Sequence, residues 1–318
     1  MKSFKQGVRR LGCALLCVAA LGVVAGCGGG TQQIDPFVAT RLITFGDEFS
    51  LLTPEGKKLS INEVDPSSGA LLCRSNPTWV QALAAMYGLI YAECNPDNYA
   101  APQAKMYAAS GAKVADVQKQ LDQFFSVSTV DSKTLVTMLA GANDVLDLYR
   151  QFPTQSQASL LVAAEAAGQL MADQVNRIAN AGGRVIVVTV PDMGLTPFAL
   201  KERLAKGDID RAAFLTALTA AFNTKLRLSV VQDGHFVGLV LGDEAVQSIV
   251  KFPGAYGFAN VTEPACLSSV ALKDCTSKTL LSEASPTTWL WSSDTMLSYG
   301  GQSRIGLLAQ TRARGNPF

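Results

Sequence analysis

The sequence predicts an α/β fold in which helices cover both faces of a mainly parallel sheet. Short segments rich in Val, Ile, Leu and Thr alternate with helical segments of ten residues or more. Each strand-like segment ends in a turn of Gly, Asn, Asp or Pro, and 48% of all residues are hydrophobic, which is ample for a core. This alternation is typical of βαβ units, whose parallel strands are buried on both sides.

Four segments have the composition of buried strands. The first contains Leu, Ile and Thr in succession before a Gly-Asp turn, and the third, Val-Ile-Val-Val-Thr-Val, is the clearest central strand. The predicted strands are residues 41–45, 135–139, 184–190 and 236–241. Segments 51–72 and 95–103 are rich in turn-forming residues and are predicted to be loops.

Helices are predicted around these strands from start signals and from apolar spacing. The run Ser75-Asn76-Pro77-Thr78 is a helix start signal, and Asp208 fits the N-cap of a later helix. Gly182 and Gly183 end a long Ala-rich helix. The predicted helices are one after Thr78, one containing 117–125, and those at 159–181, 208–231 and 302–312.

The amino terminus has the features of an export signal. Residues 1–26 contain four cations, an apolar run at 11–24 that is too short to span a bilayer, and small residues before Cys27. The sequence Val24-Ala25-Gly26-Cys27 resembles the bacterial lipobox, which implies that Cys27 is lipidated and anchors the chain to a membrane. An ordinary signal peptide with an incidental Cys is the alternative.

The same region predicts the domain organisation and the localisation. Residues 27–38 are predicted to be a flexible tether, and 39–318 a single domain. We expect a bacterial cell-envelope protein. In a two-membrane bacterium, Gly28 favours the outer membrane, facing the periplasm or the surface, since an Asp there resembles the inner-membrane retention signal.

Charge and cysteine content limit the partners. Removal of the leader lowers Lys+Arg from 27 to 23 against 26 Asp+Glu, a net charge near −3, and no basic run suggests nucleic acid binding. Four cysteines remain in the domain, at positions that do not have zinc-finger spacing, so no metal is expected. They allow three disulfide pairings. Sequence proximity favours Cys73–Cys94 and Cys266–Cys275.

Four short blocks carry the chemistry-bearing residues. They are, in chain order, Phe45-Gly46-Asp47-Glu48, Gly111-Ala112 within a small-residue run, Gly141-Ala142-Asn143-Asp144, and Asp294-Thr295-Met296-Leu297. In this order and spacing the chain resembles the GDSL, or SGNH, esterase and lipase family. The resemblance implies a flavodoxin-like, SGNH-hydrolase three-layer α/β/α sandwich with a mainly parallel sheet.

The resemblance also assigns roles to individual positions. Members hydrolyse esters with a Ser nucleophile, a His base and an Asp, and the Ser N–H, a Gly N–H and an Asn amide form the oxyanion hole. Here Asp294, Gly111 and Asn143 match the pattern, but Glu48 stands at the Ser position and Leu297 at the His position. The resemblance implies no cofactor and suggests a small acyl or ester ligand.

The carboxylate of Glu48 has predictable hydrogen-bond partners. A carboxylate at this turn would stand where a substrate oxyanion should be, so we expect Glu48 to accept hydrogen bonds from the Gly111 N–H and the Asn143 amide. Without its imidazole partner, Asp294 is expected to cap local backbone.

Other candidates for the missing chemistry are weaker. Ser50 is expected to cap a turn or helix, and His235 is expected at the amino edge of the sheet, away from the site. Trp289 and Trp291 are expected to pack in the core.

Three functional hypotheses follow. The first is an exported lipoprotein with an esterase fold that is catalytically inactive by the Ser-His route and serves in binding or as a scaffold. The alternative is an active carboxylic ester hydrolase with non-standard residues, in which Glu48 acts as nucleophile or base. The third is a cation site formed by Asp47, Glu48 and Asp294.

Overall fold

The computed structural model describes residues 37–315, and its main sheet has five parallel strands. The strand order is β2-β1-β3-β4-β5, which is the flavodoxin-like order. The strands are β1 (Arg41–Gly46), β2 (Ala104–Met106), β3 (Thr134–Leu139), β4 (Arg184–Val188) and β5 (Val237–Val240). The predicted α/β class with a parallel sheet is confirmed.

Helices form a layer on each side of the sheet. On one side α2, α3, α4 and α6 pack against one another, and on the other side α1 packs against α8. The helices are α1 (Trp79–Met86), α2 (Val114–Val127), α3 (Ala142–Arg150), α4 (Gln157–Asn180), α5 (Pro197–Ala205), α6 (Arg211–Ser229), α7 (Gly242–Lys251) and α8 (Tyr299–Arg314). Right-handed crossovers explain why the helices lie on two faces. The connection from β1 to β2 runs in one direction along the sheet and the later connections run in the other, so their helices cover opposite faces.

The core lies between these layers. Every residue of β3 is buried, and so are all residues of β1 and β4 except the first of each. These are the continuous Val, Ile and Leu runs that a sheet covered on both faces requires.

Several elements differ from the sequence-based expectation. The short strand β2 was not predicted, nor were α3, α5 and α7. The long helix predicted from 208 begins at Arg211, and its N-cap is Asp210, whose side chain accepts a hydrogen bond from the Ala213 N–H. Asp208 instead binds the Arg211 guanidinium. The final helix is longer than predicted at both ends.

A second, two-stranded parallel sheet was also not predicted. It pairs β6 (Asn260–Pro264) with β7 (Trp289–Trp291), next to a small apolar cluster that contains Ile61 and Trp289. Both Trp289 and Trp291 are buried, as expected.

The two disulfides favoured by proximity are present. Cys73 pairs with Cys94 and Cys266 with Cys275, with Cα–Cα distances of 5.7 and 6.0 Å. Among residues 37–315, no helix is both long and apolar enough to cross a bilayer. The predicted signal peptide, the predicted lipidation site Cys27 and most of the predicted tether lie outside the described residues.

The turn after β1 leaves no room for a side chain at Gly46. This residue has a φ of +138°, and a Cβ built on it would lie 2.1 Å from the Leu139 carbonyl oxygen. We predict that Gly46→Ala lowers the free energy of unfolding by about 3 kcal/mol or more, because the Leu139 carbonyl can move away only if the end of β3 is distorted.

Gly88 provides the matched control, since its φ is +67° but nothing lies within 4 Å of a built Cβ. Gly88→Ala should cost only roughly 1 kcal/mol of backbone strain. Urea unfolding of both variants measures the difference, and equal losses would contradict the steric explanation.

Candidate functional site

The site lies at the carboxyl edge of β1 and β3, where the backbone of the first turn is held from two sides. The Asp47 N–H donates to the Leu139 carbonyl at 3.1 Å, which ties the turn to the end of β3. The side chain of Gln120, on α2, accepts from the Gly46 N–H and donates to the Gly46 carbonyl, each at 2.9 Å. The direction in which Glu48 leaves the turn is therefore fixed by backbone contacts.

Glu48 makes both hydrogen bonds expected from the sequence. Its Oε2 accepts from the Gly111 N–H at 2.8 Å and from the Asn143 amide nitrogen at 3.0 Å. The Asn143 amide also donates to the Ala112 carbonyl at 3.1 Å, so it is oriented toward Glu48 by a second contact. One carboxylate oxygen thus joins the turn after β1, the loop after β2 and the start of α3.

Glycines bring the two donors to this point. Gly111 adopts a φ of +74°, which favours glycine, and so turns its N–H toward Glu48. Gly141 has a φ of +124° just before α3, and a Cβ there would lie 2.4 Å from the Phe222 ring. That close approach lets Asn143 stand in the first turn of α3, beside the sheet edge.

Two further carboxyl groups lie behind Glu48. Asp47 is fully buried; its Oδ1 accepts from the Phe49 N–H at 3.0 Å, while Oδ2 has no hydrogen-bond partner among residues 37–315. Burial, and then the nearby charge of Glu48, raise the pKa of Asp47 well above its usual range. Asp144 accepts from the Val114 N–H at 3.0 Å, and burial raises its pKa to about 6.

The fourth block does not form a triad remnant. The Asp294 carboxylate is half-exposed and pairs with the Lys201 ammonium at 2.6 Å, so the expected backbone cap is wrong. Leu297 is 1% exposed within the main core, and its carbonyl accepts from the hydroxyls of Ser60 and Ser292. The position that the resemblance assigns to the His base therefore carries a buried apolar side chain.

The other candidate residues have different partners. Ser50 is fully buried and its hydroxyl accepts from the Trp79 indole N–H at 3.1 Å, so the expected side-chain cap is wrong. His235 is exposed just before β5, at the amino edge of the sheet, and contacts Asp233 at 2.9 Å. His235 therefore lies at the opposite sheet edge from Glu48, as expected.

The structure does not bring together the carboxylates of the proposed cation site. Asp294 is engaged by Lys201, and Asp47 is buried beneath Glu48. Within the part of the chain that the structure describes, no group of three or more His, Cys, Asp or Glu side chains could hold a metal ion.

Sequence reasoning missed the residues that support Glu48 from behind. Gln120 occupies a buried position on the apolar face of α2, beside Val117 and Leu121. A polar residue within an apolar stripe was the available signal for it. Nothing in the sequence pattern indicated Lys113, which pairs with Asp147 at the surface near the Gly111 loop.

The fold and the two donors at this sheet edge define an α/β protein with an esterase-like site. The family model for GDSL-like lipase/acylhydrolase matches residues 75–277, and the chain belongs to this family. The matched range includes Gly111 and Asn143 but not Glu48, Asp294 or Leu297.

Individual relatives are distant. A GDSL esterase/lipase of Arabidopsis thaliana is 24% identical over 142 residues, which is 42% of this chain and 37% of the relative, so the chain spans little more than a third of that protein's length. A lipolytic G-D-S-L family protein from Veillonella parvula is 12% identical, with a TM-score of 0.44 over 85% of this chain and 95% of the other. An acetylxylan esterase from Geobacillus stearothermophilus is 13% identical, with a TM-score of 0.44 over 88% and 96%.

The raised pKa of Asp144 predicts a pH dependence of stability. The folded chain holds this proton more tightly than the unfolded chain, whose Asp titrates near 3.8. The stabilising contribution is therefore fully present below about pH 4 and is lost as the pH rises to about 6. Asp144→Asn keeps an acceptor for the Val114 N–H without a titrating group.

We expect wild type to lose stability relative to Asp144→Asn between pH 4 and pH 7, by about 2–3 kcal/mol. Urea unfolding at intermediate pH values measures this difference. Parallel curves for the two proteins would show that Asp144 does not titrate in this range.

Proposed function

We propose that this chain is an exported, lipid-anchored member of the GDSL-like family that does not hydrolyse esters by the Ser-His route. In this proposal it acts in the cell envelope as a binding or scaffold protein. The observation that carries the proposal is the Glu48 carboxylate, which receives hydrogen bonds from both Gly111 and Asn143.

The chemistry of ester hydrolysis explains why this observation supports the proposal. The reaction needs a nucleophile, a base that takes its proton, and donors that are free to stabilise the oxyanion. At this site two of the three donors, the Gly111 N–H and the Asn143 amide, already donate to a resident carboxylate oxygen. A substrate oxyanion would have to displace Glu48 and would meet its negative charge.

The proton-transfer half of the reaction also lacks support. Leu297 cannot accept a proton, and the carboxylate that would orient a base is paired with Lys201. Loss of nucleophile and base together removes groups that act as a unit in such enzymes.

The envelope location rests on the sequence. The cationic and apolar leader, the small residues before Cys27 and the Gly-rich stretch after it support lipidation and a tether. Gly28 supports the outer membrane in a two-membrane bacterium.

An ester assay tests the proposal against the alternative of an active hydrolase. With short p-nitrophenyl esters, wild type and Glu48→Ala should both release p-nitrophenol no faster than buffer. Wild-type hydrolysis that disappears in Glu48→Ala would establish Glu48 as a catalytic residue and overturn the proposal.

A gain-of-function arm accompanies this assay. Glu48→Ser combined with Leu297→His restores the two missing groups, and Lys201→Met added to that pair frees the Asp294 carboxylate. We expect hydrolysis above background only with Ser and His both present, and a further increase of roughly tenfold when Lys201 is removed. The control adds Asn143→Ala, which should cost this activity about 10²-fold.

A double-mutant cycle tests the contact itself. Glu48→Ala and Asn143→Ala each remove one partner of a 3.0 Å hydrogen bond, so their effects on the free energy of unfolding should not add. We expect a coupling energy of about 1 kcal/mol, as for other partly exposed hydrogen bonds to a charged group.

Leu204, exposed on α5, supplies the control for the cycle. Glu48→Ala and Leu204→Ala should be additive within about 0.5 kcal/mol. Additivity in both cycles would mean that the Glu48–Asn143 contact contributes nothing in solution.

A further inference from the structure

A large groove lies at the edge of the main sheet that is remote from Glu48. It has a volume of about 740 Å³ and is bounded by β5, which is an edge strand, and by α7 and α8. Two strands, β3 and β4, separate β1 from β5, so the two sites are about 14 Å apart or more. The groove's volume is in the range of small-molecule binding sites.

The floor and walls of the groove are mainly apolar. Leu307 and Leu308 are adjacent on α8 and remain 54% and 40% exposed. Two neighbouring Leu side chains left in water are unfavourable, and they favour an apolar ligand that covers them. The apolar lining is completed by Leu239, Leu241 and Ile249.

The charge in the groove is positive. Its one acidic lining residue, Glu244, is already paired with Arg227 at 2.9 Å. Arg304 is held by the Tyr256 carbonyl at 2.6 Å and lies over the Tyr256 ring. Arg312 makes no hydrogen bond or ion pair with residues 37–315, so its guanidinium is available to a ligand anion.

The α8 residues that line the groove share one helical face. Arg304, Leu307, Leu308, Thr311 and Arg312 follow the i, i+3, i+4, i+7, i+8 spacing, so the two Leu side chains lie between the two cations. This helix face is about 12 Å long from Arg304 to Arg312, and its two Leu side chains with Arg312 beyond them match a ligand with one alkyl chain and one anionic head.

We propose that this groove binds a free medium-chain fatty acid, with its carboxylate on Arg312 and its chain along Leu308 and Leu307. The carboxylate suits a guanidinium because two parallel N–H groups can donate to its two oxygens. Binding buries apolar surface on the two Leu side chains and pairs the unpaired cation. This binding site is independent of the site beside Glu48.

Calorimetric titration of the purified protein with dodecanoate, in detergent-free buffer, tests the proposal. We expect one saturable site with a Kd on the order of 10 μM. Arg312→Gln should raise the Kd about tenfold, and Leu308→Glu, which places a like charge beside the carboxylate, should abolish binding. Dodecyltrimethylammonium, with the same chain and a cationic head, should bind at least tenfold more weakly than dodecanoate.

Matched variants show whether these effects are local. Arg314→Gln changes an exposed Arg of α8 that does not line the groove, and Leu204→Glu changes an exposed Leu of α5; both should bind dodecanoate as wild type does. Thermal unfolding of each variant confirms that it is folded.

Four binding results would overturn the proposal. They are the absence of saturable dodecanoate binding up to about 1 mM, equal binding of the cationic amphiphile, wild-type affinity in Leu308→Glu, and loss of binding in Asn143→Ala. The last would place the ligand beside Glu48 instead. A dimer in sedimentation experiments that Leu308→Glu dissociates would show that a second copy covers the groove, which also overturns it.

Discussion

The close contact between the turn after β1 and the end of β3 is the constraint on which this site depends. Gly46 has no side chain, so its backbone approaches Leu139, and the Asp47 N–H can donate to the Leu139 carbonyl. Gln120 holds the same peptide from the other side. Because the turn is fixed in this way, position 48 must face the donors at Gly111 and Asn143. The Glu48 side chain is long enough to place its Oε2 within hydrogen-bond distance of both donors.

The electrostatic surroundings of the two adjacent acidic side chains at this edge, Asp47 and Glu48, are different. Two adjacent carboxylates repel each other, so the negative charge of one raises the pKa of the other. Asp47 is fully buried, and its raised pKa favours the neutral acid. Glu48 is partly exposed, and its Oε2 accepts hydrogen bonds from two N–H donors. The Glu48 carboxylate therefore lies where a substrate oxyanion would otherwise develop.

The sequence predicted the long strands of the main sheet better than the short elements between them. Long Val, Ile and Leu runs identified β1, β3, β4 and β5, because strands buried on both faces need an unbroken apolar composition. The three residues of β2 were missed, since their pairing with β1 is a long-range interaction and three residues show no periodicity. Helix α3 begins within the Gly-x-Asn-Asp block, where turn residues concealed a helix start.

The candidate site was partly predictable for a similar reason. Glu48, Gly111 and Asn143 occupy positions that the resemblance to the GDSL family assigns to the nucleophile turn and the oxyanion hole, so their contact could be expected before the fold was known. The ion pair of Asp294 with Lys201 joins residues 93 positions apart and depends on how α5 is placed. The position of Gln120 depends on the rotation of α2. Such contacts depend on packing, which no local pattern in the sequence records.

The two sites differ in what they leave unsatisfied, and that difference bears on function. Beside Glu48 the N–H donors at the surface already have an acceptor, so this edge gains little by binding an anion. At the groove beside β5 the situation is reversed: two Leu side chains contact water, and Arg312 has no partner among the described residues. A ligand gains free energy where apolar surface and charge are unsatisfied before it binds. Because Glu48 already accepts hydrogen bonds from Gly111 and Asn143, the groove is the place where a binding function has physical support.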